Sequence, residues 1–338
     1  MNTAPGLSDK LLKSAVRINA SDIHFYPFSD HVNVYFRVFG KRTLHQTIST
    51  AQYQLLLTYF KFTSGMDIGE VRKPQNGTII HEDLHQQFAL RLSTLPVSHV
   101  ESLAIRLLPQ EDNLTLDRLF LFPSQLRKLK KWINNRSGII LLTGPTGSGK
   151  TTTLYALLEN ILQEESYQTI TLEDPIEKEI SDILQVQVNE KAGVTYQTGL
   201  KAALRHDPDI IMIGEIRDRF TAQFAFDASL TGHLVLSTLH AKNAAGTIHR
   251  LVEMGLKKAY LQQSLIAVAA LQLIPVEVGH NVVRRAAIME LLDGKLLEDT
   301  ISGQTTTEAE HFHTFDHLRK KAFAYGFMAE DTFSSLKE

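Results

Sequence analysis

The residues Gly144-Pro145-Thr146-Gly147-Ser148-Gly149-Lys150-Thr151 constrain the chain more than any other stretch. A glycine, four free positions, glycine, lysine and a hydroxyl residue form a P-loop, a backbone cradle for phosphate groups. The apolar run Gly138-Ile139-Ile140-Leu141-Leu142 precedes it and a helix-forming segment, 152–162, follows, so the strand, loop and helix that the motif needs are present. Glycines let the backbone curl with its N–H groups inward, and the helix start at Lys150 adds the positive end of a helix dipole. The spacing assigns Gly144 through Thr152 to a nucleotide, with Lys150 on the outer phosphates and Thr151 on a magnesium ion.

The loop sits near the middle of 338 residues whose hydrophobic content is 43%, enough for two domains that each bury a core. We expect an N-terminal domain over 1–108, a linker over 109–118 and a nucleotide-binding domain over 119–338. Lys and Arg total 35 against 37 Asp and Glu, net −2, which gives no electrostatic footprint for a nucleic-acid backbone and argues against direct binding to one. With no cysteine, disulfides and thiolate zinc sites are excluded. The longest apolar run, 265–271, is far short of the ~20 residues of a spanning helix, and 1–13 has no signal-peptide core. Any membrane connection is therefore expected to run through a partner.

Before the loop, the patterns predict strands at 21–27, 32–38, 87–94 and 102–108 and a helix at 52–62. Arg91 and Arg106 alternate away from the apolar face of their strands, where period alone reads them as solvated surface arginines. Around and after the loop, strands at 138–142, 169–172, 183–188, 210–213 and 234–236 alternate with helices at 124–134, 152–162, 196–206 and 244–253, and a further helix at 260–274 is expected to stop at Pro275. The alternation predicts an α/β domain with a mostly parallel sheet covered on both faces.

Carboxylates just past buried strands are where such a site needs them. Glu215, after Ile210-Ile211-Met212-Ile213, is the first candidate for the base that readies a water, close to magnesium. Glu173 is the second, orienting water or holding the metal through its hydration shell, while Asp174 serves equally as a turn or cap residue before Pro175. Thr231 to His240 encloses another strand and carries His233 and His240; a neutral imidazole there either donates to the terminal phosphate or is a structural histidine.

Taken together, these segments resemble the ATPases of type II secretion and type IV pilus machines. The resemblance is carried by the P-loop, by Thr171-Leu172-Glu173-Asp174-Pro175-Ile176-Glu177, by Leu204-Arg205-His206-Asp207-Pro208-Asp209-Ile210 through Asp218, and by the Thr231 to His240 box. Ala20-Ser21-Asp22-Ile23-His24, Arg72-Lys73-Pro74-Gln75-Asn76-Gly77 and Arg91-Leu92-Ser93-Thr94-Leu95-Pro96 extend it to the N-terminal half, so that it runs from about Ala20 to about Asp293.

The resemblance implies a PAS-like N-terminal α+β domain followed by a RecA-like ATPase domain, bound to ATP and Mg2+ without zinc. It implies six identical chains in a ring at the cytoplasmic face of the membrane, working on a polytopic membrane platform protein. Arg91 and Arg106 match family positions that reach the phosphates, which reverses the reading from period alone. Within the family, Gln185 to Gly193 and the start directly at the second N-terminal domain look like the assembly branch, in the pared-down form of competence motors for DNA uptake. A retraction motor and a nucleotide-gated scaffold without turnover are the alternatives. Two departures stand out: Arg37-Val38-Phe39-Gly40 lacks the family's acidic residue, and Leu271-Gln272-Leu273 replaces Gln-Arg-Leu. The tail from Gly294 onward stays unassigned.

Overall fold

Alternation of apolar and polar residues builds the first of two units into which the chain divides, Met1–Asn113 and Leu114–Glu338. The computed structural model describes residues 3–83, 86–98, 100–109, 115–164, 166–277, 283–304 and 311–335. The first unit contains α1 (Ala4–Arg17), β1 (Asp22–Pro27), β2 (His31–Val38), β3 (Lys41–Ser49), α2 (Thr50–Thr63), β4 (Gln75–Asp83), β5 (Gln86–Leu95) and β6 (Ser102–Pro109). Its six strands pair antiparallel in the order β3-β2-β1-β6-β5-β4.

Because side chains alternate across a strand, Ile23, Phe25, Val34, Phe36, Leu90, Leu92, Leu103 and Ile105 share one face and pack on Leu11, Leu12 and Ala15 of α1 and on Tyr53, Leu56 and Phe60 of α2. This is the expected PAS-like arrangement of helices on one side of an antiparallel sheet. Helix α2 starts with a capping box in which Ser49 and Gln52 satisfy each other's backbone N–H groups.

The opposite face carries charge. Arg37, Asp22, Arg106 and Arg91 stand in register on β2, β1, β6 and β5. Asp22 accepts from Arg106 at 2.9 Å and faces Arg37 at 3.6 Å. Arg91 and Arg106 therefore do leave the core face, as their period requires.

The second unit comprises α3 (Leu116–Leu119), α4 (Pro123–Ile133), β7 (Gly138–Thr143), α5 (Lys150–Glu164), β8 (Thr169–Glu173), β9 (Leu184–Gln187), α6 (Tyr196–Ala203), β10 (Ile210–Ile213), α7 (Arg219–Leu230), β11 (Leu234–Leu239), α8 (Ala244–Glu253), α9 (Lys258–Ser264), β12 (Leu265–Glu277), β13 (Val283–Asp293), α10 (Gly294–Ser302), α11 (Phe315–Ala324) and α12 (Glu330–Ser335). Its seven strands run β13-β12-β7-β11-β10-β8-β9. All neighbours are parallel except β12 and β13. Strands β7, β10 and β11 are buried along their whole length, and an apolar cluster lies on each face of the sheet.

The expected helix over 260–274 is a correction. Only Lys258–Ser264 is helical, and Leu265–Glu277 is a strand between β7 and β13. Its residues are apolar on both sides because both faces of the sheet are covered, and Pro275 is tolerated beyond the last residue paired with β7, Ala270. Half of the expected linker, 110–114, lies outside the described residues, and α3 begins within its remainder.

Candidate nucleotide-binding site

Strand order gathers the site. Strands β7, β11, β10 and β8 are adjacent and parallel, so their C-terminal ends share one edge of the sheet, where ligands bind in such folds. β7 ends in the P-loop, β8 in Glu173, β10 in Gly214-Glu215 and β11 in His240. Hydrogen bonds lock the ends together: Thr143 Oγ1 donates to Leu239 O at 2.8 Å, Thr238 Oγ1 to Gly214 O at 2.8 Å, and Ile216 N to Thr238 O at 2.8 Å.

Within the loop, Gly144 takes φ 145°, Gly147 78° and Gly149 90°, values that other residues rarely adopt. A Cβ on Gly144 would lie 2.6 Å from Ser148 Oγ and 2.7 Å from the carbonyl oxygen of Leu271, so this position admits glycine alone. Pro145, Thr146 and Gly147 are exposed at the rim, as is Thr152, whereas Thr151 is half-buried. Lys150 is buried, and its ammonium donates to the carbonyls of Gly144 and Pro145, each at 2.9 Å. Burial lowers its pKa, opposed by the nearby carboxylates of Glu215 and Glu177.

Ser148 Oγ is buried without a hydrogen-bond partner. A hydroxyl left so, beside an inward-turned glycine loop and a lysine, fits a polyphosphate, whose oxygens would satisfy these donors. The hydroxyl of Thr151 and a nearby carboxylate are hard oxygen donors, the kind that Mg2+ takes when it also binds phosphates.

Glu215 is partly buried between two basic groups. Its Oε1 pairs with Arg217 Nη2, and its Oε2 lies 3.6 Å from His240 Nε2. Arg217 reaches Asp174 as well, Nη1 to Oδ2 at 2.9 Å, and the carboxylates raise its pKa, its hydrogen bond to Glu215 first. The pKa of His240 falls below its ordinary value through burial, then through Lys150, while Glu215 and a hydrogen bond to the Gly144 backbone pull the other way; the ring is neutral near pH 7. Lys150, Glu215 and His240 thus come together above the loop.

Two expected residues do not join them. His233 precedes β11 at the opposite end of the sheet, where its carbonyl accepts from Gly138 N at 3.2 Å and its Nδ1 bonds Ala228 O at 3.0 Å and Thr231 Oγ1 at 3.1 Å. Six strand residues at about 3.3 Å each separate it from the loop, so its assignment to the nucleotide is withdrawn. Glu173 is 3% exposed, with Oε1 accepting from Thr171 at 2.6 Å and from Gln185 at 3.1 Å and Oε2 from Tyr155. A carboxylate so engaged is a hub of hydrogen bonds at the end of β8.

Sequence reasoning gave no role to Tyr155, Arg217 or Tyr196. The last has a buried hydroxyl without a partner, and burial raises its pKa beyond the ordinary range, with Arg217, Asp174, Glu215 and Glu173 nearby.

A sheet with this loop, acid and histidine on one edge defines a P-loop nucleotide-binding protein of the RecA-like secretion-ATPase fold. The chain belongs to the family described as "Type II/IV secretion system protein", whose model matches residues 3–313. It is 41% identical to the competence protein ComGA of Bacillus subtilis over 98% of both chains, and 42% identical to that of Halalkalibacterium halodurans, again over 98% of each. It is 43% identical to type II secretion system protein E of Pseudomonas aeruginosa over 80% of this chain but 54% of the relative, so it spans about half the length of that protein. Among solved structures, the ATPase DotB of Legionella pneumophila shares the fold at TM-score 0.78 and 21% identity, covering 98% of this chain and 95% of its own. The pilus retraction motor PilT with bound ADP matches at TM-score 0.70 and 25% identity, covering 96% and 95%. No helix among the described residues is long and apolar enough to cross a membrane.

Proposed function

We propose that this chain hydrolyses the terminal phosphoanhydride of ATP to drive assembly of a competence pilus-like fibre for DNA uptake. It works as a homo-hexamer at the cytoplasmic face of the membrane, through a polytopic platform protein. The observation that carries the reading is the convergence of the P-loop, Glu215 and His240 on one sheet edge; the end-to-end likeness to competence proteins supports the biological setting.

In this mechanism the loop N–H groups, Ser148 Oγ and Lys150 hold the phosphates. Lys150 leaves the carbonyls of Gly144 and Pro145 for phosphate oxygens. Glu215 takes the proton of the attacking water once Arg217 yields it, and neutral His240 donates to the terminal phosphate. Thr151 and Glu215 would hold Mg2+, which when bound would neutralise charge on the phosphates. Arg91 and Arg106 supply guanidiniums to the transition-state charge, for which a planar fork of donors is suited.

Phosphate release by the purified protein tests the reading. Glu215→Gln should keep nucleotide binding and lose roughly a hundredfold or more of turnover, and Arg91→Ala and Arg106→Ala should likewise bind but fail to turn over. Piliation left intact by Glu215→Gln with turnover lost, while Lys150→Ala abolishes piliation, would favour the scaffold instead. The likeness to the retraction motor keeps a second reading in play, which electron microscopy of cells without the protein separates: assembly predicts no fibres, retraction an excess.

A further inference from the structure

We propose that Tyr155 is a positioning residue that carries the state of the P-loop helix to the segment 173–178 and through it to Glu215. The proposal rests on the reading of Glu215 as the base.

Tyr155 lies one turn beyond Thr151 on α5, so the two side chains share a face of the helix whose N-terminus holds the phosphates. Its side chain is buried at 5% exposure, and its hydroxyl is fully used. It donates to Glu173 Oε2 and accepts from the backbone N–H of Glu177 at 3.0 Å, with that of Lys178 at 3.4 Å. Burial and the Glu173 carboxylate push the phenol far above its ordinary pKa, so it stays a donor throughout the working range. A tyrosine serving only as core filler would need no such partners, since its ring already packs among the apolar residues beside β7.

Glu173 passes the constraint on. Gln185 Nε2, which donates to Glu173 Oε1, also donates to Lys178 O at 2.9 Å, and Gln185 Oε1 accepts from Ile180 N at 2.8 Å. The segment is thereby laced to α5 on one side and β9 on the other. The residue after Glu173 is Asp174, which holds Arg217, and Arg217 holds Glu215. A displacement of α5 when phosphates settle on its N-terminus must move the phenol, the segment and Asp174 together. That changes how firmly Arg217 grips the carboxylate that is to act as base.

The test uses the full chain as wild type and Tyr155→Phe, which keeps the ring and removes one oxygen. Three quantities are measured: ATP turnover, affinity for a non-hydrolysable ATP analogue with Mg2+, and hydrogen exchange over 173–180 with and without that analogue. Loss of a hydrogen bond to a charged group predicts a kcat about tenfold lower with affinity within about twofold. The analogue should still protect the P-loop while the response of 173–180 disappears. Unchanged kcat, or an intact response in that segment, overturns the proposal.

Asp174→Asn, at an exposed position, tests the same path should Tyr155→Phe fold poorly. It too should lower kcat with binding kept, and an unchanged kcat counts against the relay. Joined in one chain, the two substitutions should cost no more than the larger alone, whereas additive losses refute a shared path. If Glu215→Gln turns over normally, the base reading fails by itself, and the exchange response still decides the role of Tyr155.

Discussion

Replacing Lys61 by Met should unfold the N-terminal unit far more readily than its distance from the P-loop suggests. Lys61 lies in the last turn of α2 with 2% of its side chain exposed, and its ammonium donates to Glu101 Oε2 at 2.8 Å and to the Glu70 carbonyl at 2.8 Å. Glu101 is equally buried, its Oε1 has no other partner, and its carbonyl accepts from Tyr53 at 2.6 Å. Met matches the lysine stem in volume, so the packing term is small, and the cost is that of a carboxylate left alone in the core. For a broken buried pair this is about 3–5 kcal/mol, a large part of the roughly 5–15 kcal/mol that holds a domain together. Glu101 immediately precedes β6, so the loss would free the strand that carries Arg106 and, through its pairing, Arg91. Urea unfolding read by hydrogen exchange in α2 and β6 measures it in the full chain, and Lys61→Met with Glu101→Leu should recover most of the loss. A single variant within about 1 kcal/mol of wild type, or a double variant no better than the single, would refute the reasoning.

Three further outcomes are expected. Phe39, exposed at φ 47° beside Gly40 at φ 81° in the two-residue turn joining β2 to β3, sits where Asn or Asp is at ease; Phe39→Asn should raise stability by about 1 kcal/mol in urea unfolding. Gly144→Ala should abolish binding of a fluorescent ATP analogue while the far-ultraviolet circular dichroism stays unchanged, because the new methyl meets Ser148 and a fixed carbonyl. Glu290, buried while accepting from Ala244 N at 3.2 Å and Phe315 N at 2.8 Å, has its pKa raised above 4.5, chiefly by burial. The unfolded chain then releases this proton first, so its contribution to stability is full below 4.5 and falls as pH rises through the folded value. Unfolding midpoints taken from about pH 4 to about pH 8 should decline less steeply in Glu290→Gln.

Periodicity exposed those elements whose two sides meet different surroundings. β1, β2, β5, β6 and α2 separate an apolar side from a polar one, and the sequence reading found each close to its observed bounds. β3 escaped it because Lys41–Ser49 is an edge strand, largely exposed, with no apolar side to mark it. α1 is amphipathic, but its segment was weighed only as a signal peptide. At the site, Lys150 was legible from the P-loop spacing, and Glu215 and His240 because each lies just past a buried strand. The roles of Tyr155 and Arg217 were not, since the former reads as one more aromatic in a helix and the latter as a solvated charge. Glu173 stands 18 residues from Tyr155 and Asp174 stands 43 from Arg217, and only the strand order brings them near.

The misread β12 has the widest consequence. As a helix it would have set Leu271-Gln272-Leu273 apart from the P-loop. As a strand beside β7 it forms one wall of the phosphate loop. The Leu271 carbonyl crowds Gly144, and the Leu273 side chain lies 3.5 Å from where a Cβ on Gly149 would stand. Between them, Gln272 points elsewhere and accepts from Arg319 of α11 at 3.2 Å. Alternation along one strand therefore sends neighbouring residues to the nucleotide loop and to the C-terminal helices. An arginine at 272 would face Arg319 across that contact, so the glutamine here and the helix that follows are matched to each other. The unassigned tail is thus tied to the strand that walls the site, by Gln272 and by Ile274 and Val276, which pack with Leu318, Ala322 and Met328.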